Sequence, residues 1–274
     1  MLFTLSLHLY FYSFSFIIYS GKGNDIMNFD EKIVLVTGSS RSLGAQIIRD
    51  FAKNGATVII NYNNSEEQAL ALKEELETLY GSEVLTIKCD VSNEEEVISM
   101  TNLIINKYGK IDILVNNAGV CNDSLFDEKT KDDFSKVLNT NTVGTYLVTK
   151  HIGKHINFGG RIINIASDNG LRNGYPESCD YDASKAGVIS LTHNMAKFYA
   201  PSINVNCICP GWIDTDMNKD LDYDQKEAIC KNIFLGRFAK KEEISNLVLF
   251  LASDKASYIN DSVITINGGV VNDR

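Results

Sequence analysis

The chain has 274 residues, 44% of them hydrophobic, enough for one large α/β domain with a substantial core and no need of staples. Its formal charge of −9, with Lys and Arg scattered along the chain, argues against a nucleic-acid surface. None of the six cysteines forms a CxxC pair, and Cys207-Ile208-Cys209 alternates as a strand does, which suits a reducing compartment and places the chain in the cytoplasm.

In chain order, MLFTLSLHLYFYSFSFIIYS comes first. It is apolar and aromatic, but it has no positive n-region and no small-residue cleavage site, and serines interrupt a run that is short for a membrane span. Gly21-Lys22-Gly23, encoded GGN-AAR-GGN just ahead of the Met27 codon, has the purine-rich form of a bacterial ribosome-binding site. Residues 1–26 therefore read as an extension outside the fold and 27–274 as one domain, with no membrane contact. A membrane-anchored form held by residues 1–20 is the alternative.

From Ile33 onward, short apolar runs alternate with helix-period segments. Strands are expected at Ile33–Val36, 57–60, Val84–Lys88, 111–115, 161–165, 204–208 and Val263–Ile266. They are rich in Ile and Val and too uniformly apolar to be half-exposed, as in a parallel sheet covered on both faces. Helices are expected at 46–53, Glu66–Tyr80, Glu94–Tyr108, 131–155, 183–199 and 242–252. Ser65 precedes Glu66-Glu67, and Ser92 is followed by Glu95 in an S-x-x-E box; Gly55, Gly81 and Gly109 mark helix ends. This alternation predicts a single doubly wound α/β sheet of about seven strands with right-handed crossovers.

The first strand runs directly into Thr37-Gly38-Ser39-Ser40-Arg41-Ser42-Leu43-Gly44 and then a helix. Glycines there let a backbone approach a pyrophosphate, which the free N–H groups of a helix N-terminus attract. Ser42 stands where a G-x-x-x-G-x-G pattern has its middle glycine, and serine is small enough to be tolerated or to cap the helix. The second strand ends Asn61-Tyr62-Asn63-Asn64, with no acid before Glu66 to hold ribose hydroxyls, while Arg41 is placed to meet a 2′-phosphate. Both features favour NADP(H) over NAD(H).

Tyr181 and Lys185 stand at i and i+4, so a helix projects them from one face. A carbonyl reduced by hydride addition leaves an alkoxide that needs a proton, and an ammonium beside a phenol lowers the phenol's pKa from about 10. Ser167, at the C-terminal end of a strand, can donate a hydrogen bond to the carbonyl. His151, His155 and His193 lack metal-ligand spacing, and no metal is expected. Trp212 reads as a lid or pocket wall.

Five ordered segments make the chain resemble the short-chain dehydrogenase/reductase family from about Lys32 to Gly269: Thr37–Gly44, Cys89-Asp90-Val91, Asn116-Asn117-Ala118-Gly119, Ile165-Ala166-Ser167 with Tyr181-Asp182-Ala183-Ser184-Lys185, and Pro210-Gly211-Trp212-Ile213-Asp214-Thr215. The resemblance implies a Rossmann-type sheet binding NADP(H) through Gly38, Ser39, Ser40, Arg41, Leu43, Gly44, Asn61, Tyr62, Asp90, Val91, Asn117, Ala118 and Gly119. Pro210, Gly211, Ile213 and Thr215 would cover the nicotinamide carboxamide, and Lys185 would also hold the nicotinamide ribose. Asn141 would be the fourth catalytic residue beside Tyr181, Lys185 and Ser167, keeping a relay water behind the lysine. Within the family the nearest look is to 3-oxoacyl-[acyl-carrier-protein] reductases, which implies a 3-oxoacyl thioester substrate, acyl carrier protein as partner and a homotetramer. Cys121-Asn122 stands where those enzymes usually carry an arginine, and Tyr199-Ala200-Pro201-Ser202 has no charge where they tend to place basic residues. Reduction of another small ketone, sugar or pteridine, or a non-catalytic NADP-binding sensor or scaffold, stays open.

Overall fold

The computed structural model describes residues 27–122, 124–171, 175–218 and 221–270; the expected extension, 1–26, lies outside them. Seven strands form one sheet: β1 (Ile33–Val36), β2 (Thr57–Tyr62), β3 (Val84–Lys88), β4 (Ile111–Asn116), β5 (Ile156–Ile165), β6 (Ile203–Pro210) and β7 (Val263–Ile266). Their spatial order is β3-β2-β1-β4-β5-β6-β7, and every pairing is parallel. The direction of winding reverses between β1 and β4, so the crevice at their C-terminal ends is the topological switch point where such sheets take ligands.

Neighbouring residues of one strand enter different cores. Val34, Val36, Val58 and Ile60 pack on one side of the sheet with Ile47, Ile48 and Phe51 of α1 (Ser42–Lys53) and Val248 and Leu251 of α8 (Lys241–Ala252). Ile33, Leu35, Ile59 and Leu114 pack on the other with Met100 and Ile104 of α3 (Glu94–Tyr108), Val148 of α5 (Gly144–Ile152) and Met195 of α6 (Cys179–Tyr199). Both faces are dry, which is why the strands read as unbroken apolar runs. α2 (Glu66–Tyr80) covers the edge at β3, with Ala69, Leu72 and Leu76 buried.

The structure corrects several local expectations. The stretch 131–155 is not one helix. α4 (Lys131–Leu138) passes through a single wide π turn at Asn139–Val143 into α5, and a short 3₁₀ turn follows at Gly153–His155. Ser92 does not form the box with Glu95; Asn93 caps α3, its side chain accepting from the N–H groups of Glu95 and Glu96. Ser65 makes no side-chain cap bond. The C-cap of α1 is Asn54, one residue before Gly55, whereas Gly81 and Gly109 end α2 and α3 in the left-handed conformation. A further helix lies outside the expected segments: α7 (Tyr223–Lys231) is set by a reciprocal box between Asp222 and Gln225, and it buries none of its residues, so no apolar stripe announces it.

α1 starts at Ser42 rather than at residue 46. Ser42 has φ 54°, the left-handed region that the missing glycine would have occupied without penalty, and Arg41 before it is extended. Serine therefore keeps the loop's shape at the cost of strain, and it does not serve as the cap.

Two outcomes follow from packing and strain. Phe51 is fully buried and meets Phe29 edge-on at 4.9 Å between ring centroids. Phe51→Ala should lower stability by about 3–5 kcal/mol, read from urea unfolding. Ser42→Gly should raise stability by about 0.5–1 kcal/mol in the same measurement, the relieved left-handed strain outweighing glycine's extra chain entropy.

Candidate active site

A cleft of about 1010 Å³ opens along the C-terminal ends of the strands, from Asn63 and Ser65 at one end to Ser167 and Asp216 at the other. Its floor is a set of loops bound to one another. The Thr37 hydroxyl accepts from the backbone N–H groups of Asn117 and Ala118, both at 3.0 Å, and the Asn117 amide donates back to the carbonyls of Thr37 and Gly38. Gly38 lies so close to this loop that a Cβ on it would come within 2.9 Å of the Ala118 Cα. Asn61 Oδ1 accepts from Gly38 N–H at 3.0 Å, and its amide donates to the Cys89 carbonyl at 3.0 Å.

Of the residues expected to hold a dinucleotide, Gly38, Ser40, Arg41, Leu43, Gly44, Asn61, Tyr62, Asp90, Val91, Asn117, Ala118, Gly119, Pro210, Gly211, Ile213 and Thr215 line this cleft. Ser39 does not. It is fully buried, its hydroxyl donating to the Val36 carbonyl and accepting from Asn61 N–H, so it shapes the loop from behind. Arg41 is exposed at the cleft wall. The Tyr62 hydroxyl donates to Glu66, and Asn63 donates to Asp90. A pyrophosphate fits the start of α1, where glycines leave the backbone bare, and the acid-free end of β2 beside Arg41 fits a phosphorylated ribose.

At the other end stand Ser167, Tyr181 and Lys185, all in the cleft wall. α6 begins at Cys179, which puts Tyr181 in its first turn and Lys185 one turn further along. The buried Lys185 ammonium donates to the Ile165 carbonyl at 2.9 Å and lies 5.5 Å from the centroid of the Tyr181 ring. Gly119 runs beside it; a Cβ there would meet Lys185 Nζ at 3.4 Å and Asn141 Oδ1 at 3.3 Å. Asn141 is fully buried within the π turn and outside the cleft wall. It accepts from Val120 N–H at 2.8 Å and donates to the Val120 carbonyl and to Ser184 Oγ, so the loop after β4 is stapled to α6 through it.

Burial pushes the Lys185 ammonium down to about 8. The Tyr181 phenol is pushed up rather than down: burial dominates, Cys121, Asp168 and Asp182 add to it, and a hydrogen bond with Ser167 opposes it. The ammonium faces the tyrosine ring and a carbonyl, which is why the expected lowering by Lys185 is not expressed. Behind the lysine, Cys207 and Cys209 bring their sulfurs to 4.0 Å on one face of β6.

Sequence reasoning missed Val120, Cys121, Asn63, Ser135 and Lys136, all of which line the cleft. Cys121 directly follows the N-A-G-V run and could have been included; Ser135 and Lys136 arrive only because α4 ends beside the cleft. Trp212 is tilted against Phe238, with ring centroids 5.6 Å apart. Among the described residues no cluster of His, Cys, Asp or Glu could hold a metal, and no helix is long and apolar enough to cross a membrane.

Residues 38–271 match the family model described as enoyl-(acyl carrier protein) reductase. The chain is 41% identical to a 3-oxoacyl-[acyl-carrier-protein] reductase FabG of Aquifex aeolicus, over 87% of this chain and 97% of that protein. Its identity to the protein of the same name in Thermotoga maritima is 38%, over 89% and 100%. Among solved structures it is similar to a short-chain dehydrogenase of Burkholderia cenocepacia in complex with NADP, with TM-score 0.84, 33% identity and coverage of 88% and 98%. A short-chain dehydrogenase/reductase from Serratia marcescens gives TM-score 0.83, 34% identity and coverage of 88% and 98%. One sheet order, one cleft at the switch point and matches along almost the whole domain agree that this chain belongs to the short-chain dehydrogenase/reductase family of oxidoreductases.

Proposed function

We propose that the chain reduces the ketone of a 3-oxoacyl thioester with NADPH, with Tyr181 as the proton donor, Ser167 as the carbonyl's hydrogen-bond donor and Lys185 as the fixed cation beneath them. The observation that carries this reading is that Ser167, Tyr181 and buried Lys185 together line one end of a cleft long enough for a dinucleotide, with Lys185 fixed on the Ile165 carbonyl. The substrate class comes from the named relatives in Aquifex and Thermotoga, and acyl carrier protein is proposed as the carrier on the same ground. The family model's description names enoyl reduction; two hydroxyl donors, Ser167 and Tyr181, in one end of the cleft suit an oxygen better than a carbon–carbon double bond.

NADPH, when bound, supplies the hydride that adds to the carbonyl carbon. Ser167 and Tyr181 donate hydrogen bonds to the carbonyl oxygen, withdrawing its electrons as the C=O double bond becomes single. Tyr181 then gives its proton to that oxygen, and the product is a secondary alcohol. A phenol held in its protonated form by burial suits an acid in this direction. Lys185 keeps a fixed positive charge beside the Tyr181 ring, and Asn141 keeps the loop bearing Gly119 and Val120 against α6, so that the floor of the site does not move.

We place the enzyme in the cytoplasm, consistent with six cysteines that form no CxxC pair, and propose a homotetramer. Tyr146 of α5, Phe198 of α6 and the fully exposed Tyr258 are apolar surface that copies of the chain would cover.

Tyr181→Phe should keep NADPH binding and lower kcat by about 10²–10⁴-fold in a ketone-reduction assay; wild-type turnover would remove the tyrosine from its role. Because the Lys185 cation is present below about pH 8 and lost above it, kcat/KM for NADPH should fall as pH rises through that value. A flat profile from pH 7 to 9.5 would show that the ammonium does not matter. Arg41→Glu should weaken NADPH by about 10²-fold while leaving NADH nearly unchanged, measured by fluorescence titration; an unaltered ratio would take the 2′-phosphate away from Arg41.

A further inference from the structure

Tyr181 stands between two carboxylates, and each is tied to a different loop at the edge of the cleft. Asp180 is fully buried. Its Oδ1 accepts from Tyr181 N–H at 2.9 Å and from the Lys129 ammonium at 3.0 Å, while Oδ2 has no protein partner. Lys129 is nearly as buried, 4% exposed at its side chain, and it also donates to the Asn122 carbonyl. This pair joins the segment after β4, which carries cleft residues Val120 and Cys121, to the first turn of α6.

On the other side of the tyrosine, Asp182 Oδ1 accepts from the Asn169 amide at 2.8 Å and from Ser178 Oγ at 3.0 Å, and Oδ2 accepts from Tyr175 N–H at 3.3 Å. Asn169 follows Ser167 by two residues and donates its own N–H to Ser167 Oγ at 3.3 Å. Asp182 thus holds the segment that presents the serine. Neither carboxylate lines the cleft.

A buried ion pair adds little net stability, because desolvating both charges offsets their attraction; what it does impose is geometry, since either charge left alone is costly. A wall shifted by about 1 Å can lower turnover by on the order of 10²-fold.

We propose that Asp180 and Asp182 are positioning residues, holding the opposite walls of the substrate end of the cleft at fixed distances from the Tyr181 phenol, Asp180 through Lys129 and Asp182 through Asn169. The proposal rests on the reading of Tyr181 as proton donor, and it is independent of which ketone is the natural substrate.

The test is a double-mutant cycle with any ketone that the wild-type chain reduces, reading kcat, KM and NADPH affinity separately. Lys129→Met and Asp180→Asn should each lower kcat by roughly 10- to 100-fold, with NADPH affinity within about twofold of wild type. The Lys129→Met/Asp180→Asn double variant, which removes both charges and nearly keeps their volume, should return to within about threefold of wild type. Wild-type kcat in the folded single variants, or losses in the double variant equal to the product of the single losses, would overturn the proposal. If the single variants do not fold, Asp182→Ala decides, because its carboxylate is partly exposed: lost kcat with NADPH binding intact supports the role, and unchanged kcat sinks it. Failure of the underlying acid assignment shows up separately, as residual turnover in Tyr181→Phe.

Discussion

Two hydrogen bonds to one hydroxyl hold the switch point together. Thr37 follows β1, Asn117 and Ala118 follow β4, and the strands belong to opposite halves of a sheet that winds outward from this seam. Parallel pairing brings the two strand ends side by side, but only the threonine and the returning bonds from Asn117 close the loops over them. Gly38 then sits against Ala118 with no space for a side chain, and α1 starts where its free N–H groups face the cleft. The dinucleotide half of the cleft and the substrate half share this seam as their common reference.

The substrate half is built from α6 outward. Helical spacing places Tyr181 and Lys185 on one face, but a helix alone does not fix what surrounds them. Asn141 ties Val120 and Ser184 together from within the π turn, and the carboxylates beside Tyr181 reach the loops on either side. Burial then acts in opposite senses on the two chemical groups. It keeps the phenol protonated and makes the ammonium easier to discharge.

The sheet and the identity of the strand-end residues were readable in the sequence because each strand is buried on both faces and each motif sits at a strand's end. Ser42 was readable as a substitution but not as strain: the letter shows a small residue, and only the φ of 54° shows what it tolerates. The break at Asn139–Val143 left no trace in the periodicity, since one wide turn shifts the apolar stripe without interrupting it. The depressed pKa expected of Tyr181 failed because spacing gives proximity, whereas titration depends on where the ammonium points. Lys129 and Asp180 were invisible as a pair, being distant in sequence and ordinary in type until the fold excludes water from both.

The wide turn at Asn139–Val143 also makes this stretch sensitive to length in a way its composition hides. A π turn holds one residue more than an α turn, so removing a single residue there would let the chain close into regular α-helix. Everything beyond it would rotate by roughly 100° about the axis and retreat by about 1.5 Å. Val148 and Ile152, now buried under the sheet, would swing off the core, and Asn141 would leave its place between Val120 and Ser184. Conservative side-chain changes around the turn leave this register intact; a one-residue deletion does not, so the spacing from Gly119 to Tyr181 is itself a constraint on the site.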